Sequence, residues 1–291
     1  MVLTNKQVGD FVNSRYISVK INGDSLEGKQ LREKYHYPGY PTVILFNQHG
    51  EEIDRIIGFN GNKDEYLKTL IAYTEGRGTL RDYLNRLQNE PNNFDNNYQI
   101  AQKYHERGDY GAARPYIEKF LKLDSQDEFG KKTEGRYLLA YGEYRQHSDI
   151  QPLQNFIKST RDKDWLGRAF NDITRYYARQ NKPDKVLETY ELALKRLPDD
   201  ANLMNAYAWY IFQQKIENAY ARGIAVAQTA VKLQPDADHI WDTLGQLLFA
   251  AGRTEEAIAA MQKAADLNPK EKSYEENLTK YRSVLSGKSD S

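Results

Sequence analysis

The chain of 291 residues contains no cysteine, which excludes disulfides, thiolate metal sites and cysteine nucleophiles and removes any reading of compartment from cysteine usage. Charge of one sign is missing too: 41 Lys and Arg balance 41 Asp and Glu, so there is no basic field of the kind that nucleic-acid binding uses. No apolar run approaches the roughly 18 residues of a membrane-crossing helix, and the first residues carry no signal-peptide pattern. Histidine is sparse. His36, His49, His105, His147 and His239 are scattered, and without close pairing they predict neither a metal site nor a catalytic triad. The glycines of "GFNGNKDE" (58–65) lack the spacing and the Gly-Lys-Ser/Thr ending of a phosphate loop. No catalytic residue and no cofactor is expected.

Tyrosine is plentiful, with 22 residues, and in stacked helices its ring fills space while its hydroxyl stays at a wet edge. The few prolines are placed with order. Pro198, Pro235 and Pro269 close the phrases "ALKRLP", "AVKLQP" and "AADLNP", at spacings of 37 and 34 residues, a repeat period rather than a heptad or strand period. In the last unit Trp241, Leu244, Gly245 and Leu248 mark one face of a helix, Gly252 breaks it, and Ala257, Met261 and Ala264 mark a second helix that Pro269 stops. That pattern resembles the tetratricopeptide repeat in period and in its W-x-x-L-G … A … A … P signature. Phe170, Ile173, Thr174, Tyr177, Val186, Tyr190 and Ala193 follow the same plan. So do residues 201–235, with about three extra residues in a turn around "NAYARG". Two looser units precede them, the first carried by Ile100, Ala101, Tyr104, Gly108, Ala113, Ile117 and Phe120. The second places Pro152 in a first helical turn. About five helix pairs, closed by a polar helix at "SYEENLTKYRSVLSG" and a frayed "KSDS" tail, predict an all-α solenoid over 94–287.

Residues 1–76 read differently. "TNKQVGDFVNSRY" (4–16) opens with a Thr-x-x-Gln capping box and a helix. "ISVKIN" (17–22) alternates like a strand, "EGKQLREKYHY" (27–37) is helical, and "TVILFN" (42–47) is an apolar run of the kind buried on both faces. "QHGEE" turns the chain into a second strand at 53–59, and 62–76 is an amphipathic helix. This order, with Gly39-Tyr40-Pro41-Thr42 just before the apolar strand, resembles the second half of a thioredoxin fold. The resemblance implies a cis-proline at Pro41, and it implies that the strands, helix and Cys-x-x-Cys of the first half are absent from this chain. The gap left in the sheet predicts pairing with a second copy, as a homodimer. Residues 77–93 are expected to form a helix connecting the α/β part to the repeats. The fold class is thus α/β plus all-α, an incomplete thioredoxin-like fold followed by an α-solenoid.

Helical spacing places a polar set on the first helices of the repeats, the face that lines the groove in proteins with these repeats. It comprises Tyr98, Gln102 and His105, then Tyr137, Tyr141, Tyr144 and Arg145, then Asn171, Arg175 and Arg179, then Asn205, Trp209 and Phe212, and last Asp242, Gln246 and Phe249. Arginine and tyrosine together suit an extended acidic or aromatic peptide, against the plainer alternative of solvated helix faces and interhelical packing. The positions are not lysine-rich, which argues against the clamp that holds chaperone C-termini. Two functions stay open: a non-enzymatic protein-interaction scaffold, or part of a thiol–disulfide oxidoreductase with a repeat arm. The second would imply a periplasmic setting if an upstream redox half exists; otherwise a cytoplasmic one is expected. Nucleic acid is not an expected partner.

Overall fold

A computed structural model describes residues 5–37 and 39–289; Thr4 of the expected capping box and Asp290 and Ser291 of the tail lie outside them. The chain divides into two compact units, 1–160 and 161–291. The first holds α1 (Lys6–Arg15), α2 (Leu26–Tyr35), β1 (Thr42–Phe46), β2 (Glu52–Ile57), α3 (Lys63–Thr74), α4 (Leu80–Asn89), α5 (Phe94–Glu106), α6 (Tyr110–Leu123), α7 (Lys132–His147) and α8 (Gln151–Ser159). The second holds α9 (Lys163–Arg179), α10 (Pro183–Arg196), α11 (Ala201–Gln213), α12 (Tyr220–Leu233), α13 (Asp238–Ala250), α14 (Thr254–Leu267) and α15 (Lys272–Ser289).

The N-terminal quarter departs from expectation. Among the described residues the sheet has two strands only, β1 antiparallel to β2 with Thr42 opposite Ile57 and an irregularity at Leu45/Phe46. Residues 17–22 form no strand, and Ile17 and Val19 are 97% and 76% exposed. Their alternation suits a half-buried strand, but a strand exists through its ladder, and no described residue bonds to the backbone of 17–21. A thioredoxin-like fold is therefore not shown, and a dimer through the incomplete sheet has no strand at 17–22 to carry it. The apolar run of β1 is likewise not buried on both faces: Leu45 alone is fully buried. Asn5 caps α1, its side chain accepting from the Gln7 and Val8 amides. A small core of Val8, Leu45, Tyr66 and Leu70 holds α1, the hairpin and α3 together.

What fixes the hairpin to the helices is polar. The fully buried Asp54 carboxylate on β2 accepts from Lys103 Nζ (2.7 Å) and Arg107 Nη2 (2.7 Å), from α5 and the residue after it. It also accepts from the Leu80 amide at the start of α4 (2.8 Å). Burial pushes its carboxyl up, but Lys103 and Arg107 outweigh burial and hold it below the ordinary value.

From α5 onward the chain makes five helix pairs, each turned by one residue in the left-handed region: Gly108, Ser148, Asn181, Lys215 and Gly252. A tight helix-to-helix turn needs positive φ, which glycine adopts without strain; the sequence shows it plainly at Gly108 and Gly252 and hides it at the other three. Pro198, Pro235 and Pro269 each lie two residues beyond a helix end, after α10, α12 and α14. The extra residues near "NAYARG" form a 3-10 turn at Glu217–Ala219. Pro152 sits in the first turn of α8, where its missing N–H costs nothing. The second unit packs α10–α15 around one core that includes Ile211, Ala227, Leu247, Met261 and Leu278.

Candidate functional site

In the first unit the predicted residues on α5 and α7 turn largely toward one another. Tyr98 Oη donates to Glu134 (3.1 Å) and Gln102 Nε2 donates to the same carboxylate (2.7 Å), which Lys131 also approaches (3.1 Å). Glu134 was not singled out from sequence, because nothing in helical spacing distinguishes a bridging carboxylate from a solvated one. Tyr137 and Tyr144 are buried and pack within the helix layer, so they do not present their rings to a ligand. That corrects the expectation for both: at these positions the tyrosine ring serves interhelical packing. Tyr141 is half-buried among His105 (5.4 Å), Tyr110 (5.8 Å) and Tyr137 (5.8 Å). Arg145, exposed, donates to Tyr141 Oη (2.7 Å) and lies over the rings of Tyr110 and Tyr141. Of the four predicted residues on α7, Tyr141 and Arg145 alone form a surface feature. Burial, with Arg145 adding to it, lowers the His105 pKa to about 4, so its imidazole is neutral at pH 7.

In the second unit Asn171, Arg175 and Arg179 are exposed along α9. On α11, Asn205 and Trp209 are half-buried, and Trp209 meets Phe212 at 5.4 Å between ring centroids. Asn205 Oδ1 is buried with no hydrogen-bond partner among the described residues. On α13, Gln246 donates to both oxygens of Asp242 (2.8 Å), and burial raises the Asp242 carboxyl above its ordinary value. Phe249 is stacked on Tyr281 of α15 at 4.0 Å, which withdraws its ring from any ligand.

The loop before β1 is a compact polar turn. The Tyr40–Pro41 peptide is cis, Thr42 Oγ1 donates to Gly39 O (2.7 Å), and Tyr40 Oη donates to Gly23 O (2.7 Å). Pro41 O accepts from the Gly58 amide (2.8 Å), closing the hairpin base. Among the described residues no cluster of His, Asp or Glu could hold a metal ion, and no helix is long and apolar enough to cross a membrane.

Comparison with known proteins fits the helix pairs. Two family models, both described as tetratricopeptide repeat, match residues 94–127 and 217–272, and the chain carries repeats of that kind. The C-terminal part of a TPR repeat-containing protein from Cytophaga hutchinsonii is similar in fold, with 15% identity, a TM-score of 0.53, and coverage of 75% of this chain and 83% of that one. The first TPR of Spaghetti (RPAP3), solved bound to an HSP90 peptide, matches at 21% identity and a TM-score of 0.36, over 40% of this chain and 93% of that one. Protein O-mannosyl-transferase TMTC1 from Homo sapiens is 22% identical over 182 residues, 62% of this chain. The chain spans about a fifth of that protein's length, 20%.

Proposed function

We propose that this chain is a non-enzymatic protein-interaction scaffold, which holds a peptide or an extended protein segment on the first-helix faces of its repeats. The observation that carries the reading is the surface of the second unit, where the repeats leave Asn171, Arg175 and Arg179 exposed and place the Trp209–Phe212 pair on the next first helix. Arginine and tryptophan dominate binding surfaces because each gives large contact area or forked donors for little lost conformational freedom. In the first unit Tyr141 and Arg145 offer a smaller patch of the same chemistry. The alternative as part of a thiol–disulfide oxidoreductase has no cysteine in this chain and, among the described residues, no third strand to rest on.

The test is selection of random twelve-residue peptides on the immobilised full chain, followed by affinity measurement on Trp209→Ala. Selected peptides are expected to bind this variant at least ~10-fold more weakly, the loss common for an aromatic anchor, while its helical circular dichroism stays unchanged. Peptides that bind wild type and variant equally would remove the groove from consideration.

A further inference from the structure

On α9, Arg168, Asn171, Arg175 and Arg179 fall within about 80° of one another around the helix and span about 16 Å of its length. All four are exposed. Some exposed arginines elsewhere are matched with carboxylates, such as Arg86 with Asp82 (2.7 Å), Arg222 with Glu191 (2.8 Å) and Arg253 with Glu256 (2.6 Å). Arg175 and Arg179 form no ion pair or hydrogen bond among the described residues, as is also true of exposed Arg15, Arg81 and Arg161, but these two stand one helical turn apart on the same face. Arg168 lies over the Trp165 ring at 4.7 Å, which leaves its edge donors free for a ligand. The acids of the helix are Asp164, at its start, and Asp172, which has contacts of its own. The stripe thus holds three guanidinium groups that form no ion pair among the described residues.

We propose that the segment crossing α9 is acidic, with carboxylates on alternate residues that Arg175 and Arg179 take in forked hydrogen bonds. This rests on the scaffold reading and names its ligand class. Alternate side chains of an extended peptide stand roughly 6.6 Å apart, and one helical turn separates Arg175 from Arg179 by about 6 Å along the axis. A Glu-x-Glu register therefore places one carboxylate on each guanidinium, the planar fork matching the carboxylate oxygens. A single-helix stripe on a chain of zero net charge favours a short acidic peptide over a phosphate polymer, whose binding draws on a wide basic field.

The experiment is fluorescence anisotropy of a labelled (Glu-Ser)5 peptide on the full chain at low salt. The double variant Arg175→Glu/Arg179→Glu is expected to weaken binding at least ~10-fold, since opposed charges at an interface become like charges. Arg86→Glu, outside the stripe, should change it less than about twofold, as rim charges do. Raising ionic strength toward 0.5 M should weaken binding in step, because exposed pairs are screened. Equal binding of (Gln-Ser)5, unchanged affinity in the double variant, or tighter binding of a single-stranded oligonucleotide would each overturn the proposal. The peptides selected above separate the two claims. Winners without acidic residues that still depend on Trp209 would keep the scaffold and discard the acidic ligand, and an absence of any winner would remove both.

Discussion

The Asp54 carboxylate accepts hydrogen bonds from two cations and two backbone amides, and its side chain has no exposed surface. Removing one member of such a set strands the others as buried charge, a loss of about 3–5 kcal/mol. Asp54→Ala is expected to lose stability on that scale in chemical denaturation; a loss below about 1 kcal/mol would show that water replaces the carboxylate freely. Because the folded pKa of Asp54 is depressed, its contribution is present above the ordinary carboxylate range and is lost as pH falls through the folded value. His105 acts in a different window. Its folded pKa is lowered to about 4 by burial, with Nε2 buried and without a partner among the described residues. The unfolded chain gains a proton below about pH 6.5 while the folded one does not, so stability falls as pH drops from about 6.5 to 4. The loss is on the order of 2–3 kcal/mol, and His105→Gln should flatten that part of the profile. An imidazole that titrates near 6.5 in NMR would refute the assignment. The roles of the two were not legible in the sequence: helical spacing places His105 in the groove-facing set rather than in the packing, and Asp54 reads as an ordinary strand residue whose partners lie 49 and 53 positions away.

At the scale of elements, two glycines in helix interiors test how the repeats pack. A Cβ on Gly135 of α7 would meet the Phe120 ring at 2.7 Å and Leu121 Cδ2 at 2.8 Å, and Phe120 has no exposed surface to retreat into. A Cβ on Gly167 of α9 would meet nothing nearer than Leu197 Cδ1 at 3.9 Å, an ordinary contact. Alanine gains about 1 kcal/mol over glycine inside a helix, and overpacking a filled core costs about 1–3 kcal/mol. Gly135→Ala is therefore expected to lower the melting temperature and Gly167→Ala to raise it, and the same sign for both would contradict this packing. Helices were the legible elements, since their period, caps and stops are local: Gly252, Pro269 and Pro152 act where their chemistry predicts. The strand expected at 17–22 was not, because alternation shows which face would be buried and nothing about whether a neighbouring strand exists. On the site, spacing identified the exposed row Asn171, Arg175 and Arg179. It failed for Tyr137 and Tyr144, where the choice between groove and interhelical packing depends on neighbouring helices that spacing does not describe.

For the whole molecule, the second unit and residues 1–76 have cores of unequal character. In the second, α10 to α15 share a continuous apolar cluster, and α15 completes it with Leu278 and Tyr281, both nearly fully buried. A helical repeat array needs about three stacked units and a polar cap to be stable alone, and residues 161–291 supply three helix pairs and that cap. The fragment 161–291 is accordingly expected to fold by itself, with a cooperative thermal transition in circular dichroism and slow amide exchange in α11 and α13. Residues 1–76 have the opposite balance. Among the described residues four buried apolar side chains make their core, and the charge that anchors the hairpin, Asp54, is neutralised by Lys103 and Arg107 from outside that segment. Cut from α5, the hairpin would keep a buried carboxylate without its cations, so a 1–76 fragment should be unfolded at neutral pH. A fragment 1–76 with dispersed amide resonances would mean that its small apolar core suffices and that the ion network is incidental. An unfolded 161–291 would mean instead that three helix pairs and this cap do not suffice.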